Sequence, residues 1–434
     1  MVGSQENDNS QNPLYQRIID ENSPEKITKN SLLGIYPVSS AKNAKSRKNL
    51  YLEARFDRYH YQQSAHSMFA IEGKKKFDAG EIAHPLNIHK TAKCMRVRFK
   101  KTVGVWKSKE YERSFYSGLV ICGNVFTCPV CAAKIQERRR LEIAKLFDAA
   151  YGGDLGPDKK VVMATLTFSH SRDDKLIDLL DLQAAALKVL RESTNWRKMK
   201  KLYGCVGFIR SLEITYGING WHPHTHEALV VDKETDVDDL RDLILEKWLV
   251  ACERFGLTGG KIEDFKKRSV QITDNCHTSD YLAKQDDSRH WGIDRELAKS
   301  MTKQGKKSGR HPFSFLKDYA DGDKKAAALF LEYAFGVKGR NGKGRAQIYW
   351  QPGLKKKVGL IEKSDEDLAK EERDSADLLA ALNVADWNLI LKHKMRSQIL
   401  DVAENFGAKG IQNFLDDLRR IPEVEQSVFC SKRE

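Results

Sequence analysis

The clearest hydrophobic patterning lies between about residues 158 and 290. It opens with KVVMATLTF (160–168), a β-branched run bounded by charge, which predicts a strand. Leu176, Leu179, Leu180, Leu187 and Leu190 then recur at helical spacing. CVGFIRSLEITY (205–216) and WHPHTHEALVV (221–231) predict two more strands, joined by the turn-forming GING. Leu240, Ile244, Trp248 and Cys252 mark a second helix, SVQIT (269–273) a fourth strand, and SDYLAKQ (279–285) a short helix. The order βαββαβ predicts an α+β fold with a split βαβ, ferredoxin- or RRM-like antiparallel sheet backed by helices. Such sheets host many unrelated functions, so function has to be read from side chains.

The flanking segments are of different character. Residues 1–48 are polar and aperiodic, which predicts a disordered N-terminal segment. Residues 49–155 carry a basic helix and a cysteine cluster, and are expected to form a helical, zinc-binding module. The patterned domain covers 156–290, a basic Gly/Lys-rich extension 291–363, and a charged, Leu-rich region expected to be helical 364–434. No run of about 18 uncharged apolar residues occurs, so no membrane partner is expected. The start, MVGSQENDNSQNP, lacks the basic flank and apolar core of a secretion signal, which makes the cytoplasm the expected location.

Charge narrows the class of partner. The chain has 74 Lys+Arg against 60 Asp+Glu, a formal charge of +14. Excess positive charge favours polyanions through long-range attraction and counterion release. The basic residues cluster at Lys74–Lys76, Arg138–Arg140, KQGKKSGR (303–310) and Lys355–Lys357. No amphipathic basic anchor accompanies them, which places nucleic acid ahead of a membrane surface.

Three of the 12 histidines, His222, His224 and His226, alternate along the third strand. Side chains on a strand alternate faces, so all three point one way, with Ala228 and Val230 continuing that face into a core. A single strand histidine is usually an ordinary polar group, but several on one face suit metal ligation by neutral imidazole. The hairpin adds a carboxylate. With Ile218-Asn219 as the loop, Glu213 pairs with His224; with Asn219-Gly220, a favoured type I′ pair, it pairs with His226. Either loop puts Glu213 on the histidine face, whereas a three-residue loop would flip it away. Two imidazoles and a carboxylate suit a divalent cation with open coordination positions.

Downstream, Tyr281 and Lys284 in HTSDYLAKQ are three apart and so neighbours on one helix face. A tyrosine is a poor nucleophile at its free pKa of about 10. A metal-polarised phosphate and nearby cations can compensate. A tyrosine at a helix start more often packs, and this one gains weight only beside the metal face.

Cys122, Cys128 and Cys131 form C-x5-C-x2-C, a compact chelate for tetrahedral Zn²⁺. Cys94 is the expected fourth ligand, with His89 as a substitute; a redox pair or uncoordinated thiols are the alternatives. Four thiolates leave no open position, so this zinc would be structural. The helix after the knuckle presents Arg138, Arg139 and Arg140 either to phosphates or to solvent.

These motifs together resemble a known family. HPHTH is similar to the histidine–hydrophobic–histidine motif of HUH endonucleases, with Thr225 in the middle position. MATLTF resembles the first motif of that superfamily, and YLAK its tyrosine–x–x–lysine motif. Order and spacing resemble the single-tyrosine rolling-circle replication initiators of plasmids, as do CGNVFTCPVCAAKIQERR and AQIYWQPGL, over about residues 90–355. The resemblance implies a nicking-closing enzyme whose catalytic domain is 156–290. His224 and His226 would bind Mg²⁺ or Mn²⁺ with Glu213 as third ligand and His222 as an outer member. Tyr281 would attack a phosphodiester of single-stranded origin DNA, leaving a 5′-phosphotyrosine and a 3′-OH primer for a host polymerase working with a host helicase. Lys284 would position or neutralise the phosphate or the tyrosine, and Thr165, Thr167 and Phe168 would lie beside the DNA. Some relatives carry a water-activating glutamate four residues before the tyrosine. Here that position is His277, which leaves Asp280 as the candidate, since Glu227 faces away from the metal. A transposase or relaxase with the same chemistry, and a non-catalytic zinc-containing DNA-binding regulator, are the competing readings.

Overall fold

The structure, a computed structural model, describes residues 41–276, 309–371 and 375–421. Its helices are α1 (Ala41–Asp78), α2 (Pro129–Tyr151), α3 (Leu176–Glu192), α4 (Thr194–Leu202), α5 (Val237–Arg254), α6 (Ile262–Arg268), α7 (Ser314–Ala320), α8 (Lys325–Lys338), α9 (Leu354–Lys357), α10 (Asp365–Lys370), α11 (Val384–Lys392) and α12 (Arg396–Arg420). Its strands are β1 (Val103–Ser108), β2 (Ser114–Ser117), β3 (Lys159–Leu166), β4 (Gly207–Gly217), β5 (Gly220–Asp232), β6 (Val270–Thr273), β7 (Ile348–Trp350) and β8 (Ala376–Leu382). Two compact units divide the chain. One draws on residues up to His60, on Lys93–Ile121 and on those from Glu371 onward; the other on Tyr61–Ala92 and Cys122–Lys370.

The larger unit holds a five-stranded sheet in the order β6-β3-β5-β4-β7, every neighbouring pair antiparallel. Its first four strands in chain order, β3, β4, β5 and β6, form the split βαβ arrangement, with β7 added beyond β4. The helical leucines predict the packing correctly: Leu176, Leu179, Leu180, Leu187 and Leu190 of α3 are buried, as are Leu240, Ile244, Trp248 and Cys252 of α5. The Trp248 indole donates to the Thr167 carbonyl at 2.7 Å, tying α5 to the end of β3.

Strand alternation splits each strand between two environments. Val161, Met163, Ile209, Ala228 and Val230 join Ile143, Leu146 and Phe147 of α2 in one buried cluster. Burying side chains of this size is worth about 1.5–3 kcal/mol each. Farther along the same sheet face the residues turn polar: Thr165, Glu213, His224 and His226. The covered half fixes the register, since a one-residue slip would bring the apolar set to the other side.

A buried ion pair occupies the opposite face. Glu227, 1% exposed, is bonded to Arg191 of α3. The Arg191 guanidinium carbon lies 3.6 Å from the centre of the Trp196 ring and 4.4 Å from that of Phe208.

The smaller unit has a three-stranded antiparallel sheet, β2-β1-β8, with α11 and α12. The C-terminal region is thus mainly helical but also supplies β8, whose sequence ADLLAAL favours a helix by composition. Pairing with β1, through a bulge at Val105/Trp106, overrides that local preference. Arg55 donates to Asp401 at 2.6 Å and also bonds Glu404, while Arg113 reaches Glu404 at 3.2 Å. No helix among the described residues is long and apolar enough to cross a membrane.

Candidate metal centre

The hairpin between β4 and β5 closes on Gly217 and Gly220, leaving Ile218-Asn219 at the tip. Of the two expected registers this is the one that pairs Glu213 with His224. Gly220 sits at φ +81°, and a Cβ there would meet the Arg172 Cα at 2.9 Å, so both backbone and space call for glycine.

Glu213 Oε2 lies 3.0 Å from His224 Nε2 and 2.9 Å from His226 Nε2. The far side of each ring is also fixed. His226 Nδ1 is 3.0 Å from the Thr165 hydroxyl on the adjoining strand, and His224 Nδ1 is 3.4 Å from the His222 carbonyl. A carbonyl can only accept, so His224 carries its proton on Nδ1, and its Nε2 lone pair then faces a carboxylate oxygen. That contact is repulsive unless Nε2 is protonated too or a cation lies between the donors. The Thr165 hydroxyl can hold His226 in the same tautomer. With both imidazoles protonated, their bonds to Glu213 outweigh the upward push of burial and hold its carboxyl well below the usual carboxylate range; with both neutral, a cation has to take the place of those protons. Two Nε2 lone pairs and one carboxylate, half-buried on an open sheet face, fit a divalent cation.

His222 stands outside this group. Its Nδ1 lies 2.9 Å from His170 Nε2, and His170 Nδ1 lies 3.1 Å from the Asn219 carbonyl. The carbonyl requires Nδ1–H on His170, whose Nε2 therefore accepts from His222 Nδ1–H. Burial, with the neighbouring His224 and His170, pushes His222 down to about 4, so this pair is neutral at pH 7. His170 was not foreseen from the sequence, and neither was His311. The latter is buried, follows Arg310 on a bridge to Tyr216 of β4, and feels the Glu213 carboxylate. Burial outweighs that attraction and holds His311 at about 4.

The sulfurs of Cys94, Cys122, Cys128 and Cys131 all lie within 4.8 Å of one another, and all four are buried. Cys122 Sγ and Cys131 Sγ are 3.7 Å apart. A tetrahedron with Zn–S bonds of about 2.3 Å has an edge close to that value, far longer than a disulfide. The Asn124 N–H points at Cys122 Sγ at 3.4 Å, which suits a thiolate. This four-cysteine group can bind zinc. His89 stays apart from it: its Nδ1 accepts from the Thr91 N–H at 3.2 Å, and its ring stacks on Phe69.

The family model for replication protein matches residues 120–243, which run from the cysteine knuckle through β3 and the histidine hairpin into α5. The Rep protein of Streptomyces lividans is 26% identical over 352 residues, covering 66% of this chain and 76% of that protein. Over residues 120–243 the chain is thus similar to the replication-protein family. A neomycin resistance protein of Streptomyces cyanogenus is 29% identical over 144 residues, 27% of this chain and 32% of that one. No solved structure matches.

The other residues expected to act in this chain are placed less uniformly. Tyr281, Lys284, Asp280 and His277 lie outside the described residues. Thr165 is on the metal face, and Thr167 follows it at the end of β3, its N–H bonded to the Ser269 carbonyl at 2.8 Å. Phe168 is instead buried at 5% exposure: it has the opposite parity to Thr165 and Thr167, so its ring turns away from the histidine face. Arg139 is neither solvated nor open to phosphates, since Glu142 and Asp365 both take its guanidinium at 2.7 Å. Arg140 is bidentate on Glu137. Of the three arginines expected at DNA, these two are therefore engaged in ion pairs within the fold.

Proposed function

We propose that this protein initiates plasmid rolling-circle replication by a metal-dependent nick in single-stranded origin DNA. The observation that carries the reading is the convergence of Glu213, His224 and His226 on one point of an otherwise packed sheet. These three residues would hold Mg²⁺ or Mn²⁺, which when bound supplies Lewis-acid polarisation of a phosphate oxygen. Thr165 and the His222 carbonyl keep both imidazoles in the ligating tautomer. Tyr281 is the nucleophile: its phenolic oxygen bonds the phosphorus, the bond to the 3′ oxygen breaks, and that oxygen leaves as a 3′-OH. Lys284 neutralises charge at the phosphate, and Asp280 is the candidate base for water at termination. The 3′-OH then primes a host polymerase, with a host helicase opening the duplex. Structural zinc at the four cysteines completes the cofactor set.

The test is a labelled single-stranded origin oligonucleotide incubated with protein and Mn²⁺. Wild type is expected to give a covalent adduct that Tyr281→Phe abolishes and Glu213→Gln strongly reduces. An undiminished adduct in Tyr281→Phe would remove the nucleophile assignment. No adduct in wild type would leave a replication protein that binds DNA without this chemistry.

A further inference from the structure

In the smaller unit, residues 98–102, RFKKT, leave the fold just before β1. Phe99 is 65% exposed, more than any other aromatic ring among the described residues. A single exposed apolar side chain is ordinary by itself; what singles this one out is its fixed placement beside exposed cations. The segment is nonetheless held in shape. Arg98 bridges Leu119, the Phe99 and Lys100 N–H groups both point at the Gly118 carbonyl at 3.0 and 3.4 Å, and the Arg98 guanidinium donates to the Lys101 carbonyl at 2.7 Å. Gly118, at φ +79°, lets the chains come this close, since a Cβ there would meet the Thr102 carbonyl oxygen at 2.6 Å. Val103, fully buried, anchors the far end. The ring is therefore presented by a fixed prong.

The charged residues of the segment itself, Arg98, Lys100 and Lys101, are of one sign. Lys100 and Lys101 are exposed and have no ion-pair partner among the described residues. The Lys100 ammonium lies 5.9 Å from the Phe99 ring centre. A single nucleotide can thus offer its base to the ring and its phosphate to the ammonium. An aromatic platform beside unpaired cations is the recurring device for gripping single strands, because every base has a face to stack while the phosphates supply the charge. A protein partner would need acidic groups against Lys100 and Lys101 and an apolar pocket for one ring; a single strand supplies both functions in each unit of its repeat.

We propose that the Arg98–Thr102 prong is a binding site for single-stranded DNA, with Phe99 stacking on an unpaired base and Lys100 and Lys101 contacting phosphates. It rests on the reading that this protein acts on origin DNA, but not on the nicking chemistry. The test uses full-length protein in a Tyr281→Phe background without added Mg²⁺ or Mn²⁺, so that no covalent step contributes. Binding of a fluorescein-labelled oligothymidylate is followed by anisotropy at several NaCl concentrations. Phe99→Ala is expected to weaken binding by about fivefold to 150-fold, the range for one base–aromatic stack, at an unchanged salt slope. Phe99→Trp should restore it. The double variant K100A/K101A is expected to lower the salt slope by about 1.4, the share of two phosphates on a single strand. All three positions are exposed, so thermal unfolding should not change. Unchanged affinity in Phe99→Ala, or failure of Phe99→Trp to restore it, would overturn the stacking site. An equal loss on blunt duplex DNA would overturn the assignment to single strands. Absence of any adduct from wild type in the earlier test, with these binding results intact, would refute the nicking reading alone.

Discussion

Thr165→Val separates a metal centre from a polar patch that merely looks like one. The Thr165 hydroxyl stands 3.0 Å from His226 Nδ1, on the ring's far side from Glu213. Removing it takes away the acceptor that keeps the His226 proton on Nδ1. That bond is worth about 0.5–1.5 kcal/mol net. The proton can then move to Nε2, where Glu213 accepts it, and His226 ceases to be a ligand. Partners of this kind on ligating histidines typically contribute 10- to 100-fold in metal affinity, or about 1.4–2.7 kcal/mol. Valine is close in shape and at least as good in a strand, so the fold should be undisturbed. Calorimetric titration of Mn²⁺ into zinc-loaded protein should therefore show a loss of about tenfold or more for Thr165→Val, with Thr165→Ser close to wild type. His222→Ala keeps the backbone carbonyl that faces His224, and should bind Mn²⁺ as wild type does. Wild-type affinity in Thr165→Val would refute the tautomer argument, and with it the ligand role of His226.

Three other outcomes follow from the same geometry. Arg191→Met leaves the Glu227 carboxylate buried without its cation, and should cost about 3–5 kcal/mol in urea unfolding; pairing it with Glu227→Leu should recover most of that loss. His89, buried against Phe69, is held at about 4 chiefly by burial, against an ordinary value of 6.5. The unfolded chain then binds the extra proton between those values, so about 3 kcal/mol of stability present above pH 6.5 is lost as pH falls towards 4. His89→Phe should flatten that part of the stability profile, and an unaltered slope would count against it. Cys131→Ser should lower the zinc content measured by mass spectrometry and the unfolding temperature together; full zinc content in that variant would show that its sulfur is no ligand.

Periodicity carried the sheet. Once KVVMATLTF, SLEIT and HPHTHEALVV are read as strands, alternation alone puts Glu213, His224 and His226 on one face and Ala228 and Val230 beneath a helix. The same rule turned Glu227 to the other side, where Arg191 seals it. The choice between two hairpin registers was not legible, because both loops preserve parity; it depends on the backbone freedom of Gly220 and its approach to Arg172.

Contacts between residues far apart in the chain were not legible either, and these decide which polar groups remain available. Arg139 looked free for phosphate because its partner Asp365 lies 226 residues away. His222 looked like an outer member of the ligand set because nothing local reveals His170, 52 residues upstream, which takes its Nδ1. In both cases residue type and spacing described capacity, and the fold then assigned that capacity to an internal partner. The converse holds for Phe99. In KCMRVRFKKTVGVW its alternation with valine reads as the start of a strand, and an aromatic there would be expected to pack. The Gly118 carbonyl captures the Phe99 and Lys100 amides before the ladder of β1 begins at Val103, so the ring is left outside. Polar groups that the fold gathers at one open point, and apolar groups that it leaves uncovered beside unpaired charge, are where function should be sought in this chain. By that criterion the sheet face at Glu213 and the prong at Phe99 rank above the arginine run of α2, although that run is the most basic triplet in the helix.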